Sequence, residues 1–347
     1  MRHQILGWRR NREAGIVLGC LLWTFSGIPA FADCPVVKNT ATLLVRAPGG
    51  NLIIDTSGGS MVEIALSRTV IQVQEVCGTD TISVEGSVPG GLTESVDWKI
   101  RVPKSLNLDL TTNGGSITLI GDSDGEVKLR TSGGSVTAAN IRRNALLYTQ
   151  AGFIRAGNIG GNAELHSEGG NLEVGDVAGN ASLETASGWI RAGSIGGSVK
   201  AETGGGSIKI KESRGDRFVA TTKAGDISVT GTARKIDAQT EGGAITVGRA
   251  RGAFQGRTES GDIRIDMATA SIDAVSGFGD IFIRLDPDSY SGDLHVNIQT
   301  GNGTITFYLP ETSRASIEAA VDKVAANARQ PIVADFPITN SMPPLRS

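Results

Sequence analysis

Thr185-Ala186-Ser187-Gly188-Trp189-Ile190-Arg191-Ala192 is answered eighteen residues later by Thr203-Gly204-Gly205-Gly206-Ser207-Ile208-Lys209-Ile210, one phrase in two copies: Thr/Ser-x-small-Gly-x-aliphatic. Outward from this pair the phrase runs from Leu108 to Ile305. Its second glycine falls at Gly115, Gly134, Gly152, Gly170, Gly188, Gly206, Gly225, Gly243, Gly261, Gly279 and Gly303. Thr or Ser stands three residues before every one of them, and Ile, Val or Leu two residues after. A short fixed period sustained this far means stacked coils, each burying its neighbour's apolar face.

Aligned on that glycine, the coils expose two further apolar columns. Seven residues before it lie Leu108, Val127, Ala145, Ala163, Ala181, Val199, Phe218, Ile236, Phe254, Ile272 and Val296. Five before it the residues are Leu, Ala or Ile, with Gly256 the one exception. Each rung therefore reads as period-two strands broken by a tight turn. The fold expected is all-β, a parallel β-solenoid of about 18 residues per coil with two or three short faces, a capping segment at each end, and the right-handed coiling usual for parallel crossovers. Ile141, Ile159, Val177 and Ile195 favour a third face. Eleven coils at ~4.8 Å make a rod on the order of 50 Å long. The column glycine is expected to supply a positive-φ corner, the hydroxyl to bond the backbone one coil away, and Asn144, Asn162 and Asn180 to form an internal amide ladder.

Gly accounts for 47 of 347 residues and aromatics for only 5%, and the glycines sit at repeat positions, so they mark turns, not disorder. Arg2, Arg9, Arg10 and Arg12 precede an apolar stretch ending in Ala30-Phe31-Ala32, which reads as a signal peptide over 1–32 with the mature chain starting at Asp33. Val17-Leu18-Gly19-Cys20 is a poor lipoprotein acceptor because the apolar run continues past Cys20. Residues 33–105 read as an N-terminal β cap with Val96-x-Trp98-x-Ile100-x-Val102 its clearest strand, 106–310 as the solenoid, and 311–347 as the other cap. Gly49-Gly50 and Thr56-Ser57-Gly58-Gly59 echo the repeat in degenerate form, and Pro287-Asp288-Ser289-Tyr290 lengthens one corner. Ala315 to Ala328 suits helix or strand equally. Cys34 and Cys77 survive leader removal, and an oxidising compartment favours their pairing over two free thiols.

Rungs of the form Thr-x-Gly-Gly-x-Ile-x-Val, entered through Trp98-Lys99-Ile100-Arg101-Val102-Pro103 and closed by Phe307-Tyr308-Leu309-Pro310, resemble the bacterial "putative adhesin" domain family. Those are exported β-solenoids whose molecular function is not established. The likeness spans roughly residues 40 to 340. It implies an envelope or secreted setting and adhesion, and it brings no catalytic residues.

Chemistry is thinly represented. His166 and His295 lie about seven coils apart, so no His triad or His metal cluster can assemble. No cofactor, metal or catalytic residue is assigned, and the regular rungs offer no large insertion from which to build a pocket. Leader removal leaves 29 basic and 35 acidic residues, a net charge of −6 in place of −3, which argues against nucleic acid as a partner. No later stretch reaches the ~18 to 20 apolar residues of a membrane span. An enzymatic alternative uses Asp262 and Asp280, one coil or ~4.8 Å apart, near the spacing of a retaining glycosidase pair. A binding reading uses the same column, Phe153, Asn171 and Trp189, beside Arg155, Glu173 and Arg191, a surface for a sugar ring or a partner. Tyr148 and His166 stand in a further outward column. The reading is thus a non-enzymatic, exported, adhesin-like module of the cell envelope, exposed to the periplasm, cell surface or medium. Its partner would be an envelope glycan or a surface protein. A polysaccharide lyase or hydrolase and a self-assembling structural protein are the alternatives, with the oligomeric state open.

Overall fold

Strict apolar-polar alternation gives each short strand one dry and one wet side, and the chain buries the dry sides against one another. The computed structural model describes residues 24–25, 28–35, 40–57, 60–67, 71–88, 96–286, 294–311, 316–320 and 333–335, with side chains from Thr40 onward. Among them there is no helix. The first ten strands are β1 (Thr24–Phe25), β2 (Ile28–Pro35), β3 (Thr42–Ala47), β4 (Leu52–Asp55), β5 (Met61–Leu66), β6 (Gln72–Cys77), β7 (Thr81–Ser87), β8 (Trp98–Arg101), β9 (Asn107–Thr112) and β10 (Ile117–Ile120). From β9 to Ile305–Tyr308 the strands alternate between two sheets, each pairing in parallel with its equivalent one coil away. We call the sheet containing β9 the first and that containing β10 the second.

The expected columns are the sheet registers. Leu108 pairs with Val127, Val127 with Ala145 and Ala145 with Ala163 on the first sheet, and Ile117, Val136, Ile154 and Leu172 follow one another on the second. The inward members from Leu108 to Leu285 are buried and form one continuous core. Ile141, Ile159, Val177 and Ile195 do make a third face, a column of single parallel bridges starting at Ser123. Past Ile195 that column merges into longer strands of the second sheet through the pairs Ile195–Ser213, Ala233–Ala250 and Ala250–Ala268.

The column hydroxyl links successive coils at every rung. Thr131 donates to the Gly115 carbonyl (2.7 Å), Thr149 to Gly134 (2.6 Å), Thr203 to Gly188 (2.7 Å) and Thr300 to Gly279 (2.8 Å). The first, Thr112, uses Gly50 (2.9 Å). The glycine's role differs from the expectation. Within the column only Gly115 is clearly left-handed (φ 101°), while Gly279 and Gly303 lie near extended backbone. Stacking distance is what excludes a side chain: a Cβ on Gly134 would sit 2.2 Å from the Gly115 oxygen, and one on Gly206 2.3 Å from the Gly188 oxygen. The asparagine ladder is present, Asn144 Oδ1 accepting from Asn162 N–H (2.9 Å) and Asn162 Oδ1 from Asn180 N–H (2.9 Å). Its side chains are exposed along an edge, not internal.

Near the N-terminus the 18-residue register breaks in sequence but not in space. β3 and β4 stack in register on β9 and β10, with Leu43 opposite Leu108 and Leu52 opposite Ile117. β7 and β8 then stack in parallel on the outer side of β3 and β4. Antiparallel β5 and β6 lie beyond these, and β2 pairs antiparallel with β5. Trp98 is fully buried in this end of the core, and Gly86 leaves room for its indole, since a Cβ there would approach the ring to 2.7 Å.

β1 and the first residues of β2 fall within the segment read as a leader. The Cys34 side chain, Gly58-Gly59, the corner Pro287–Tyr290 and most of 311–347 lie outside the described residues. Of the ambiguous stretch Ala315 to Ala328, residues 316–320 form neither helix nor strand and the rest is likewise outside them.

Candidate functional site

The turn after each column glycine delivers the next residue to the rim of the second sheet, so Phe153, Asn171 and Trp189 stand on three successive coils. Asn171 Oδ1 accepts the Trp189 backbone N–H (3.0 Å), which pins the amide between the two rings. Two residues on, Arg155, Glu173 and Arg191 are direct partners across the parallel strands. Arg155 Nε donates to Glu173 Oε2 (2.9 Å), and its guanidinium carbon lies 6.0 Å from the Phe153 ring centroid. Arg191 lies 5.1 Å from the Trp189 centroid. All five residues expected at the patch are therefore brought together. The rings are partly covered by their own arginines, so they serve as platforms that hold guanidinium groups more than as bare faces for a sugar. Beside them a concavity of about 400 Å³ is bordered by Thr137, Arg155, Glu173, Gly157 and Gly175.

Tyr148 and His166 stack with ring centroids 5.2 Å apart, but on the outer side of the first sheet, across the Gly corner from Phe153. The Tyr148 hydroxyl donates to Glu168 (3.0 Å), and that carboxylate holds the phenol above its ordinary range.

Asp262 and Asp280 do occupy consecutive coils, yet each has a structural engagement. Asp262 Oδ1 accepts the Asp280 backbone N–H and Asp280 Oδ1 that of Thr304, both at 2.7 Å. Asp226 does the same for Ala244 (2.9 Å). These are the corner staples that asparagine supplies elsewhere. Asp280→Asn, which keeps the acceptor, will leave unfolding unchanged, whereas Asp280→Ala will lose about 1 kcal/mol in urea denaturation. No cluster of three or more His, Cys, Asp or Glu fit to hold a metal occurs among the described residues. His166 Nδ1 lies 3.6 Å from Glu184 Oε2, and His295 donates its backbone N–H to Ser271.

One concavity was not expected from the regular repeat. A trough of about 810 Å³ follows the corner between the third face and the first sheet, with Asn144, Asn162 and Asn180 along it and Glu164, Lys200 and Arg217 at its sides. Asn162 and Asn180 turn their oxygens to the backbone of the next coil, which leaves their NH₂ groups outward. The signal in the sequence is the inner column shrinking to Ala145, Ala163 and Ala181 between Val127 and Val199.

The family model described as Toastrack DUF4097 matches residues 71–249 and 197–335. No curated protein matches. Among solved structures, a putative adhesin from Bacteroides fragilis NCTC 9343 is similar at 16% identity and a TM-score of 0.24, covering 82% of this chain and 98% of that one. A putative cell adhesion protein from Clostridium sporogenes ATCC 15579 is 10% identical with a TM-score of 0.21, covering 80% and 97%. A putative lipid binding protein from Parabacteroides distasonis ATCC 8503 is 13% identical with a TM-score of 0.28, covering 80% and 96%. At such identities and TM-scores these likenesses carry nothing about ligand or partner.

Proposed function

Because the chain belongs to the Toastrack DUF4097 family, we propose that it is a non-enzymatic, exported, adhesin-like β-solenoid of the bacterial envelope that binds an envelope glycan or a surface protein. The observation that carries this reading is the convergence of Phe153, Asn171 and Trp189 with Arg155 and Arg191 beside a concavity on an otherwise repetitive surface. Elsewhere on the rungs the repeated residues are consumed by the fold: hydroxyls by glycine carbonyls, corner amides and carboxylates by backbone N–H groups. The patch residues are departures from the phrase. A long outer face supplies many modest contacts in place of one deep pocket, which suits adhesion. The test is a binding screen against envelope glycans and surface proteins with wild type and Trp189→Ala. Binding should fall while the far-UV spectrum and melting temperature hold, and a variant that binds like wild type would remove this patch.

Against the enzymatic alternative stands the use of one oxygen of Asp262 and one of Asp280 as staples of the corner. We expect no turnover from a polysaccharide panel, and cleavage that disappears in Asp280→Asn would reverse that.

Export also frames the cysteines. Cleavage after Ala32 leaves Asp33, Cys34 and Pro35 paired with Glu63, Val62 and Met61. β2 lies against β6, which ends at Cys77. A Cys34–Cys77 bridge would staple the new N-terminus onto the cap. Both cysteines of the processed chain should resist alkylation under denaturing conditions until reductant is added; labelling without reductant would refute the bridge.

A further inference from the structure

The two sheets carry different charge. On the second sheet, the strands from β10 to Ile305–Tyr308 hold seven Lys or Arg (Arg155, Arg191, Lys209, Lys211, Arg249, Arg264, Arg284) against three acids (Glu173, Glu212, Asp266). On the first sheet, from β9 to Val296–Asn302, six basic residues meet seven acidic ones. A chain of net negative charge thus has an excess of cations on the strands of its second sheet, with Asp226, Asp262 and Asp280 confined to the rim and tied to backbone N–H groups.

Toward the C-terminal end of that face, arginines and aromatics alternate as a checkerboard. Arg264 is the cross-strand partner of Phe282, and Arg284 that of Tyr308. The Arg264 guanidinium lies 4.3 Å from the Phe282 centroid and that of Arg284 5.3 Å from the Tyr308 centroid. Arg284 also approaches Phe282 (5.8 Å), and the two rings are 5.5 Å apart. Tyr308 is 49% exposed. Arg264 pairs with Asp266 (2.8 Å), whereas no carboxylate among the described residues lies within ion-pair distance of Arg284. This is the Arg-on-aromatic arrangement of Phe153/Arg155 and Trp189/Arg191 built again, five coils or roughly 24 Å from Trp189 along the rod. Lys209 and Lys211 stand between the two.

We propose that the Arg264–Phe282–Arg284–Tyr308 lattice is a second binding site, for the carboxylates of a linear acidic polysaccharide lying along the second sheet. A guanidinium held over an aromatic face keeps N–H donors for a carboxylate; Arg284 has them without an ion-pair partner among the described residues, and Arg264 shares them with Asp266. A polymer with repeated charges can meet the cations that this face presents on six of the eight coils from Arg155 to Arg284, and its length lets both Arg-aromatic groups engage one chain. Carboxylate recognition at the lattice deepens the adhesin reading but does not need the Trp189 patch.

The full chain, expressed with its own leader, is titrated with polygalacturonate and with its fully methyl-esterified form. Binding of the acid polymer should weaken steeply as ionic strength rises from about 0.01 to 0.15 M. The neutral ester and the Arg264→Gln/Arg284→Gln variant should each bind about tenfold more weakly or worse. Phe282→Leu, which keeps both charges and loses the platform, should fall between, with all melting temperatures unchanged. No binding, equal affinity for the ester, an unchanged double variant, or binding to phosphatidylglycerol vesicles in place of the polymer would overturn the proposal. Trp189→Ala in the same titration reports on the first patch alone, so failure of one site is read separately from failure of the other.

Discussion

Gly206→Ala will destabilise the rod by about 2–3 kcal/mol, while Gly205→Ala beside it will stay within about 0.5 kcal/mol of wild type. The two glycines share one turn, so composition and propensity do not separate them. Their surroundings do: a Cβ on Gly206 meets the Gly188 oxygen at 2.3 Å, whereas on Gly205 the nearest atom, the Ser187 oxygen, is 3.5 Å away. The first must push two coils apart and weaken the ladder on both sides; the second fits. Urea unfolding of the pair checks this. Because coil stacks gain stability from nearest-neighbour interfaces, Gly206→Ala should also broaden the transition as the rod loses coupling at that coil. Equal effects from the two substitutions would mean that the glycines are there for chain flexibility and not for stacking distance.

Thr149→Val will have the next largest effect, about 2 kcal/mol or more. The substitution preserves shape and removes only the hydroxyl. That hydroxyl is fully buried, donates to the Gly134 carbonyl (2.6 Å) and accepts the Gly152 N–H (3.2 Å). Valine strands one backbone group in each of two adjacent coils, and each unpaired group costs about 1–3 kcal/mol when water cannot replace the partner. Thr149→Ser keeps both bonds and should lose only the methyl contact, about 1 kcal/mol. Thermal unfolding of the three proteins decides: valine as mild as serine would mean the hydroxyl column does not hold the coils together.

The architecture was readable because two constraints recur at fixed offsets from the column glycine, and each has a single physical cause. The aliphatic residue two after the glycine enters the core on every coil from Ile117 to Ile281, leaving only the terminal Ile305 exposed, and the hydroxyl three before always meets a carbonyl one coil back. Exceptions were opaque one at a time. Gly256 breaks the aliphatic column because the Phe254 ring occupies its space, a Cβ there approaching the ring to 2.3 Å. Nothing in linear order announces that. The cap was hidden for a different reason: β7 and β8 follow β3 and β4 in the chain yet stack outside them, so spacing measured along the sequence misreports spacing along the rod.

The candidate site was legible as a set of columns, which correctly placed Phe153, Asn171, Trp189, Arg155 and Arg191 together. What columns cannot give is orientation. The sequence does not say that Arg191 lies over Trp189, nor that the Asp280 carboxylate accepts the Thr304 N–H. The Arg264, Phe282, Arg284 and Tyr308 lattice escaped because its members sit three and five residues after successive glycines, and it exists only when three coils are read together.

Function in this account resides where side chains depart from the repeat on the second sheet. The most direct test is a paired affinity measurement on whichever envelope glycan or surface protein the screen identifies. Trp189→Ala is compared with Glu202→Gln, a substitution at a half-buried, outward position on the first sheet where the side chain pairs with Lys200. The account predicts that Trp189→Ala weakens binding about tenfold or more with its melting temperature unchanged, and that Glu202→Gln binds like wild type. Equal binding by Trp189→Ala and wild type, or a loss that tracks Glu202→Gln instead, would contradict it.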